Sequence, residues 1–129
     1  METKLVCIYG SIPSKSNMNK VAVRGGKNVK ARAMFYKSKE VKLWETKTQY
    51  ELLSHSNPRI TESFELSVVV YFKNSRQDLD NVFKALLDVL QSVGWIANDK
   101  DCVSIIAKKR IDSLNPRYYF KLKTMWESV

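Results

Sequence analysis

The stretch Gln77-Asp78-Leu79-Asp80-Asn81-Val82-Phe83-Lys84-Ala85-Leu86-Leu87-Asp88-Val89-Leu90-Gln91-Ser92-Val93-Gly94 decides how the rest of the chain must be arranged. Leu79, Val82, Phe83, Leu86, Leu87, Leu90 and Val93 recur at helical spacing and form one apolar stripe. Asp80, Asn81, Lys84, Asp88 and Gln91 fall on the opposite arc. Gly94 supplies the stop, because glycine tolerates the left-handed backbone found just past helix ends. Asp78 stands where an N-cap would stand. The spacing therefore predicts an amphipathic helix with a carboxylate-rich first turn.

Two readings of those carboxylates are open. Aspartate is common at helix N-termini, where it accepts orphan N–H groups and complements the dipole. One cap needs only one carboxylate, however, and Asn98-Asp99-Lys100-Asp101 soon adds more acids. A helix terminus and an acidic loop could together gather oxygen ligands for Mg2+. For that the helix must not hold them apart, so strands would have to fold the later loop back beside Asp78.

Working outward, Ser63 to Phe72 is the clearest strand. Phe64, Leu66, Val68, Val70 and Phe72 point one way, and both faces turn apolar from Val68 onward, as in a central strand. Lys73 to Gln77 links it to the helix, so Asp78 should emerge at the carboxyl end of a strand. Lys4 to Gly10 reads as a buried strand, and Ser11 to Lys20 as a loop around Pro13. Asn28 to Tyr36 alternates like a strand, and Gly25-Gly26 reads as a turn. Ser38 to about Leu53 reads as a helix with Ser38 as cap, Glu40 in the first turn, and Val41, Trp44 and Thr48 along one side. Cys102 to Arg110 and Arg117 to Lys123 read as strands joined at Asn115-Pro116. The expected fold class is α+β: one domain over residues 1–129, a mixed β-sheet with two main helices packed on it.

Composition narrows the function. A chain of 129 residues with 44% hydrophobic and 27% charged residues can bury a core without staples. The net charge of +9 points to a polyanionic partner, nucleic acid first. Lys15, Lys20, Arg24, Lys27, Lys30, Lys37, Lys39, Lys42, Lys47 and Arg32 stand against only Glu40 and Glu45 between residues 15 and 47. Such a run is either a solvated face or a phosphate-contacting one, and Lys15, Lys20, Arg24, Lys27, Lys30 and Arg32 are the candidate DNA contacts. Cys7 and Cys102 are too few for a disulfide framework, and their apolar neighbours suggest buried thiols in a reducing compartment. No run reaches the length of a membrane span, and the N-terminus lacks a signal peptide's apolar core. The chain reads as cytoplasmic, with no membrane partner. His55 is the only histidine, which excludes mechanisms needing two.

Asp78-Leu79-Asp80-Asn81, then Lys84-Ala85-Leu86-Leu87-Asp88, then Gly94-Trp95 and Asn98-Asp99, resemble the signature of the RusA family of Holliday junction resolvases. Gly10-Ser11-Ile12-Pro13-Ser14-Lys15 is similar to that family's opening strand and loop. One departure stands out: the family usually has two aspartates where this chain has Asn98-Asp99. Asp99 matches the second of them. The resemblance implies Asp78, Asp80 and Asp99 as metal ligands, with Mg2+ as cofactor, and Lys84 as a catalytic cation aimed at the scissile phosphate. The alternative for Lys84 is an ordinary i,i+4 pair with Asp80, worth a few tenths of a kcal/mol.

The chemistry the resemblance implies suits these residue types. Carboxylates hold Mg2+, which polarises a phosphoryl oxygen, activates water and stabilises the leaving oxygen, with no nucleophile–histidine pair required. Asp78 and Asp80 can converge only if Asp78 lies outside the helix, since inside it they would point roughly 200° apart. Asp88 lies about 12 Å along the axis from Asp80, too far to share an ion. The implied function is a Mg2+-dependent endonuclease resolving four-way (Holliday) DNA junctions by paired symmetric cuts, in DNA recombination and repair. One site per chain and a two-fold substrate imply a homodimer, with the strand face around Val69 and Tyr71 as a candidate interface. Two other classes stay open: a non-catalytic basic DNA-binding module, and a metal-dependent nuclease for other branched or single-stranded DNA.

Overall fold

The computed structural model describes residues 1–13, 20–24, 32–36 and 39–125. Its elements are β1 (Val6–Tyr9), β2 (Lys20–Arg24), β3 (Arg32–Tyr36), α1 (Lys39–Leu52), β4 (Phe64–Phe72), α2 (Asp80–Ser92), a 3-10 turn (Asp99–Asp101), β5 (Cys102–Ile111) and β6 (Arg117–Thr124). β1, β6, β4 and β5 form a four-stranded sheet in that order. β4 runs parallel to β5 and antiparallel to β6, and β1 is antiparallel to β6. The fold is α+β with a mixed sheet, as the pattern predicts.

β4 is the spine. It is paired on both edges, and Phe64, Leu66, Val68, Val70 and Phe72 alternate inward along its length. Tyr118, Phe120 and Leu122 of β6 and Val6 and Ile8 of β1 join the same core layer. α1 contributes Val41, Trp44, Thr48 and Leu52 from its buried side. Trp44 is thus a core residue rather than an exposed stacking platform.

α2 buries Val82, Ala85, Leu86, Val89 and Leu90, with Leu79, Phe83, Leu87 and Val93 packed along the margins. The helix stops as the sequence indicates. Gly94 adopts φ +76, its N–H donates to the Gln91 carbonyl at 3.1 Å, and the Trp95 N–H donates to Leu90 at 2.9 Å. These are the two bonds of a Schellman closure, which needs a residue tolerant of positive φ at that point. Trp95 and Ile96 then bury themselves beyond the end of the helix.

Two expectations need correction. β2 starts at Lys20, the last residue of the expected loop, and runs through residues 21–24, where the pattern gives no strand; it pairs antiparallel with β3, Lys20 opposite Tyr36 and Arg24 opposite Arg32. A five-residue run of alternating Lys, Val and Ala is too short to outweigh the neighbouring turn residues on pattern alone. Second, Cys7 and Cys102 are free thiols but only half-buried. Burial still pushes the Cys102 thiol up from its ordinary value. Cys7 sits on β1 opposite Tyr119, on the sheet face away from the core residues. The Ser38 cap and the Gly25-Gly26 turn lie outside the described residues.

Candidate active site

Asp78 emerges where β4 and the helix signal place it, six residues past Phe72 and just before α2. The N-cap position belongs to Leu79, whose φ of −65 and ψ of −37 are already helical, and no side chain caps this end. Asp78 is therefore exposed and outside the helix without acting as its cap. Asp80 opens the helix and is also exposed, and Lys84 stands exposed one turn further on. Among the described residues the ion pairs join Lys47 to Glu51, Arg117 to Asp112 and Lys121 to Glu2, and neither Asp80 nor Lys84 takes part. The i,i+4 pairing is not formed.

The loop that presents Asp78 is held from the neighbouring strand. The Lys109 ammonium of β5 donates to the carbonyl oxygens of Ser75 at 2.9 Å and Gln77 at 2.6 Å. It also lies 5.4 Å from the centre of the Phe72 ring, so cation–π attraction adds to the two charge-assisted bonds. Within the loop, the Asn74 side chain accepts the Arg76 N–H at 3.0 Å. The Gln77 Oε1 is buried and has no partner among the described residues. Lys109 escapes sequence reasoning because nothing about a lysine in Lys108-Lys109-Arg110 separates it from its two basic neighbours. Its half-buried position separates it only once β5 lies beside β4.

Asp99 is built differently. It opens the 3-10 turn ahead of β5, where the Asn98 side chain accepts the Lys100 N–H at 2.9 Å. Asn98 thus caps this turn, a task that asparagine performs as well as aspartate. That accounts for an asparagine at this position. The Asp99 N–H donates to the Gln91 Oε1 at 2.9 Å, tying the turn to the last residues of α2. Asp101, in the same turn, is half-buried.

These placements overturn the expectation that the later loop returns beside Asp78. From Asp80 to Gln91 the axial rise of α2 is about 16 Å. Across the sheet, Asp99 precedes Cys102, which pairs with Phe64 at the start of β4, whereas Asp78 follows Phe72 at its end. Those eight strand steps amount to about 26 Å. The reason is topological. Parallel strands begin at the same end, so the connecting helix carries the chain back and leaves its two flanking loops at opposite ends of the sheet. Among the described residues no group of three or more His, Cys, Asp or Glu side chains can hold a metal ion. Within one chain, then, Asp78 and Asp80 share an end, Asp99 does not join them, and the three do not fit a shared ion.

Of the candidate DNA contacts, Lys20 and Arg24 lie on β2 and Arg32 on β3, so the hairpin gathers three of them. Lys15, Lys27 and Lys30 lie outside the described residues. His55 is exposed in the loop after α1, edge-on to Trp95 with ring centres 6.5 Å apart. Among the described residues no helix is long and apolar enough to cross a membrane.

Comparison with curated proteins gives no match to this sequence. The family model described as endodeoxyribonuclease RusA matches residues 13–123, from the segment after β1 to the penultimate residue of β6. That span includes the acidic turn, α2, the Asp99 turn and the whole basic hairpin, and the chain belongs to the RusA endodeoxyribonuclease family.

Proposed function

We propose that this protein is a Mg2+-dependent endonuclease that resolves four-way (Holliday) DNA junctions by paired symmetric cuts, in recombination and repair in the cytoplasm. The family match across residues 13–123 carries the reading, since it spans every residue of the acidic signature. The ligand set is Asp78, Asp80 and Asp99, hard oxygen donors of the kind Mg2+ prefers. Lys84 is the cation that meets the scissile phosphate, and its exposed ammonium, in no ion pair among the described residues, supports that role. Lys15, Lys20, Arg24, Lys27, Lys30 and Arg32 contact the DNA backbone, and two chains act together as a homodimer.

A basic binding module whose acids merely cap a helix is the weaker reading, because Asp78 makes no cap bond. The test is a panel of duplex, single-stranded, forked and four-way DNA at equal salt, with Mg2+ or with chelator. Paired nicks confined to the four-way substrate in Mg2+ are expected. Binding without nicks would leave a DNA-binding module, and equal cutting of all branched substrates would leave a general nuclease.

A further inference from the structure

We propose that the face of the sheet turned away from α1 and α2 binds a single strand of DNA, its bases stacked on aromatic side chains and its phosphates held by the cations between them. The strand register defines that face. Residues directly opposite on neighbouring strands project to the same side of a sheet. Tyr9, Arg117, Tyr71 and Arg110 therefore form one row across β1, β6, β4 and β5. Cys7, Tyr119, Val69 and Lys108 form the next. Lys121, Ser67 and Ile106 make the third, and Lys123, Glu65 and Ser104 the fourth. The intervening residues, such as Ile8, Tyr118 and Val70, belong to the core shared with the helices.

Aromatic rings and cations alternate along the first row. With neighbouring strands about 4.8 Å apart, the row spans about 14 Å. Tyr9 is 58% exposed, and its carbonyl accepts the Lys47 ammonium at 2.6 Å, so the ring stands on an anchored backbone. The Arg117 guanidinium lies 3.8 Å from the centre of the Tyr71 ring and donates to the Tyr119 hydroxyl at 3.1 Å and to Asp112 at 2.8 Å. A guanidinium pinned over a ring in this way offers its outer plane to a base, as an aromatic ring does. In the rows behind, Leu5, Val69, Ile106 and Tyr119 line a hollow that opens between Lys108 and Lys121.

Charge selects the occupant. Lys108 and Arg110 are exposed and, among the described residues, in no ion pair. The carboxylates of this face, Glu65 and Glu2, stand at its far end, and Glu2 is taken up by Lys121 at 2.8 Å. A polyanion matches the remaining excess, whereas a second copy of this chain brings the same excess with it. The rings then select an unpaired strand over a duplex, because a duplex keeps the faces of its bases stacked inside. A four-stranded sheet with aromatics on its open face can stack two or three unpaired bases, and basic side chains track the backbone between them. The first row lies one residue before Phe72, so the platform shares an end of the sheet with the turn that carries Asp78. Stacking of this kind needs neither metal nor cleavage.

The experiment follows the anisotropy of a fluorescein-labelled oligothymidylate of about 12 nucleotides, within the span such platforms cover, with the full-length chain in chelator. Tyr9→Leu keeps apolar bulk and removes the ring. It should weaken oligothymidylate binding about tenfold, within the range for one base stacked on an aromatic side chain, and leave binding to a blunt duplex unchanged. Lys108→Gln with Arg110→Gln should flatten the log–log salt slope by about 1.4, at about 0.7 per single-strand contact. With iodouracil in place of thymine, ultraviolet crosslinks should map by mass spectrometry to Tyr9, Tyr71 or Tyr119. No binding by the parent, binding that either variant leaves unchanged, or crosslinks confined to β2 and β3 would overturn the proposal. Equal loss of oligothymidylate and duplex binding in Tyr9→Leu would make that ring merely structural and overturn it too. A parent that binds the oligothymidylate as expected but cuts no junction would sink the proposed function alone.

Discussion

Lys109 reaches from β5 to the Gln77 carbonyl at 2.6 Å, and this bond fixes the residue immediately before Asp78. Together with the bond to Ser75 it ties the loop after β4 to the strand beside it. Lys109→Met keeps the apolar stem and removes the ammonium, leaving two carbonyls without their donor. The expected cost is about 1.5–3 kcal/mol of stability, the range for hydrogen bonds involving a charge. Urea unfolding checks the stability, and nicking should fall by more than junction binding does. Unchanged stability would mean that water replaces the ammonium at no cost.

Asp78→Asn, Asp80→Asn and Asp99→Asn are each expected to abolish nicking while junction binding persists. Asp78 makes no cap bond, so its replacement removes charge without undoing a helix terminus. In chelator, Asp78→Asn and Asp80→Asn should melt at or above the parent's temperature, because two carboxylates at one end of the sheet repel one another without metal. Junction nicking and melting curves are read side by side. Full nicking by Asp99→Asn would remove that residue from the site.

The basic hairpin is expected to carry a large part of DNA affinity. Each phosphate contact releases counterions with a log–log salt slope near 0.9. Neutralising Lys27, Lys30 and Arg32 together should flatten that slope by up to about three contacts' worth. A titration of junction binding against salt gives the answer, and an unaltered slope would put the DNA surface elsewhere.

Arg117 donates to Asp112 at 2.8 Å and holds its carboxyl below the usual carboxylate value of 3.8. A depressed folded-state value means that the stabilisation is complete above the ordinary value and is lost as pH falls through the folded one. The Asp112 carboxylate also accepts the Leu114 and Asn115 N–H groups at 3.2 Å, bonds that an asparagine oxygen can keep. Asp112→Asn should thus melt below the parent at neutral pH, with the gap closing below pH 3.8. Paired thermal melts at neutral and acid pH decide it. A gap that stays constant would show that the charge plays no part.

Tyr118 is 1% exposed, and its buried hydroxyl faces the Thr48 and Trp44 side chains without a hydrogen bond of good geometry to a described residue. Burial pushes the phenol's pKa well up, so it stays neutral. An unpartnered buried hydroxyl carries a desolvation cost that phenylalanine does not. Tyr118→Phe should be neutral or stabilising by up to about 1 kcal/mol. A destabilised variant in urea, at unchanged slope, would reveal a partner for the hydroxyl.

Local pattern alone determined a good deal of this molecule. The alternation of Phe64 to Phe72 declared a strand with a buried face, and the stripe from Leu79 to Val93 declared a helix that Gly94 would end. Both are short-range signals, carried by periods of two and about 3.6 residues. The family's acidic signature was legible for a similar reason, since its residues lie close together in sequence. Only the tertiary structure decided where those acids stand. Whether Asp99 meets Asp78 depends on β4 and β5 being parallel, and strand direction leaves no trace in side-chain alternation. Parallel pairing obliges α2 to run back along the sheet, and that return journey separates the loops at its two ends. The work of Lys109 was hidden for the same reason, because its bond to Gln77 joins residues 32 positions apart and exists only once β5 lies beside β4.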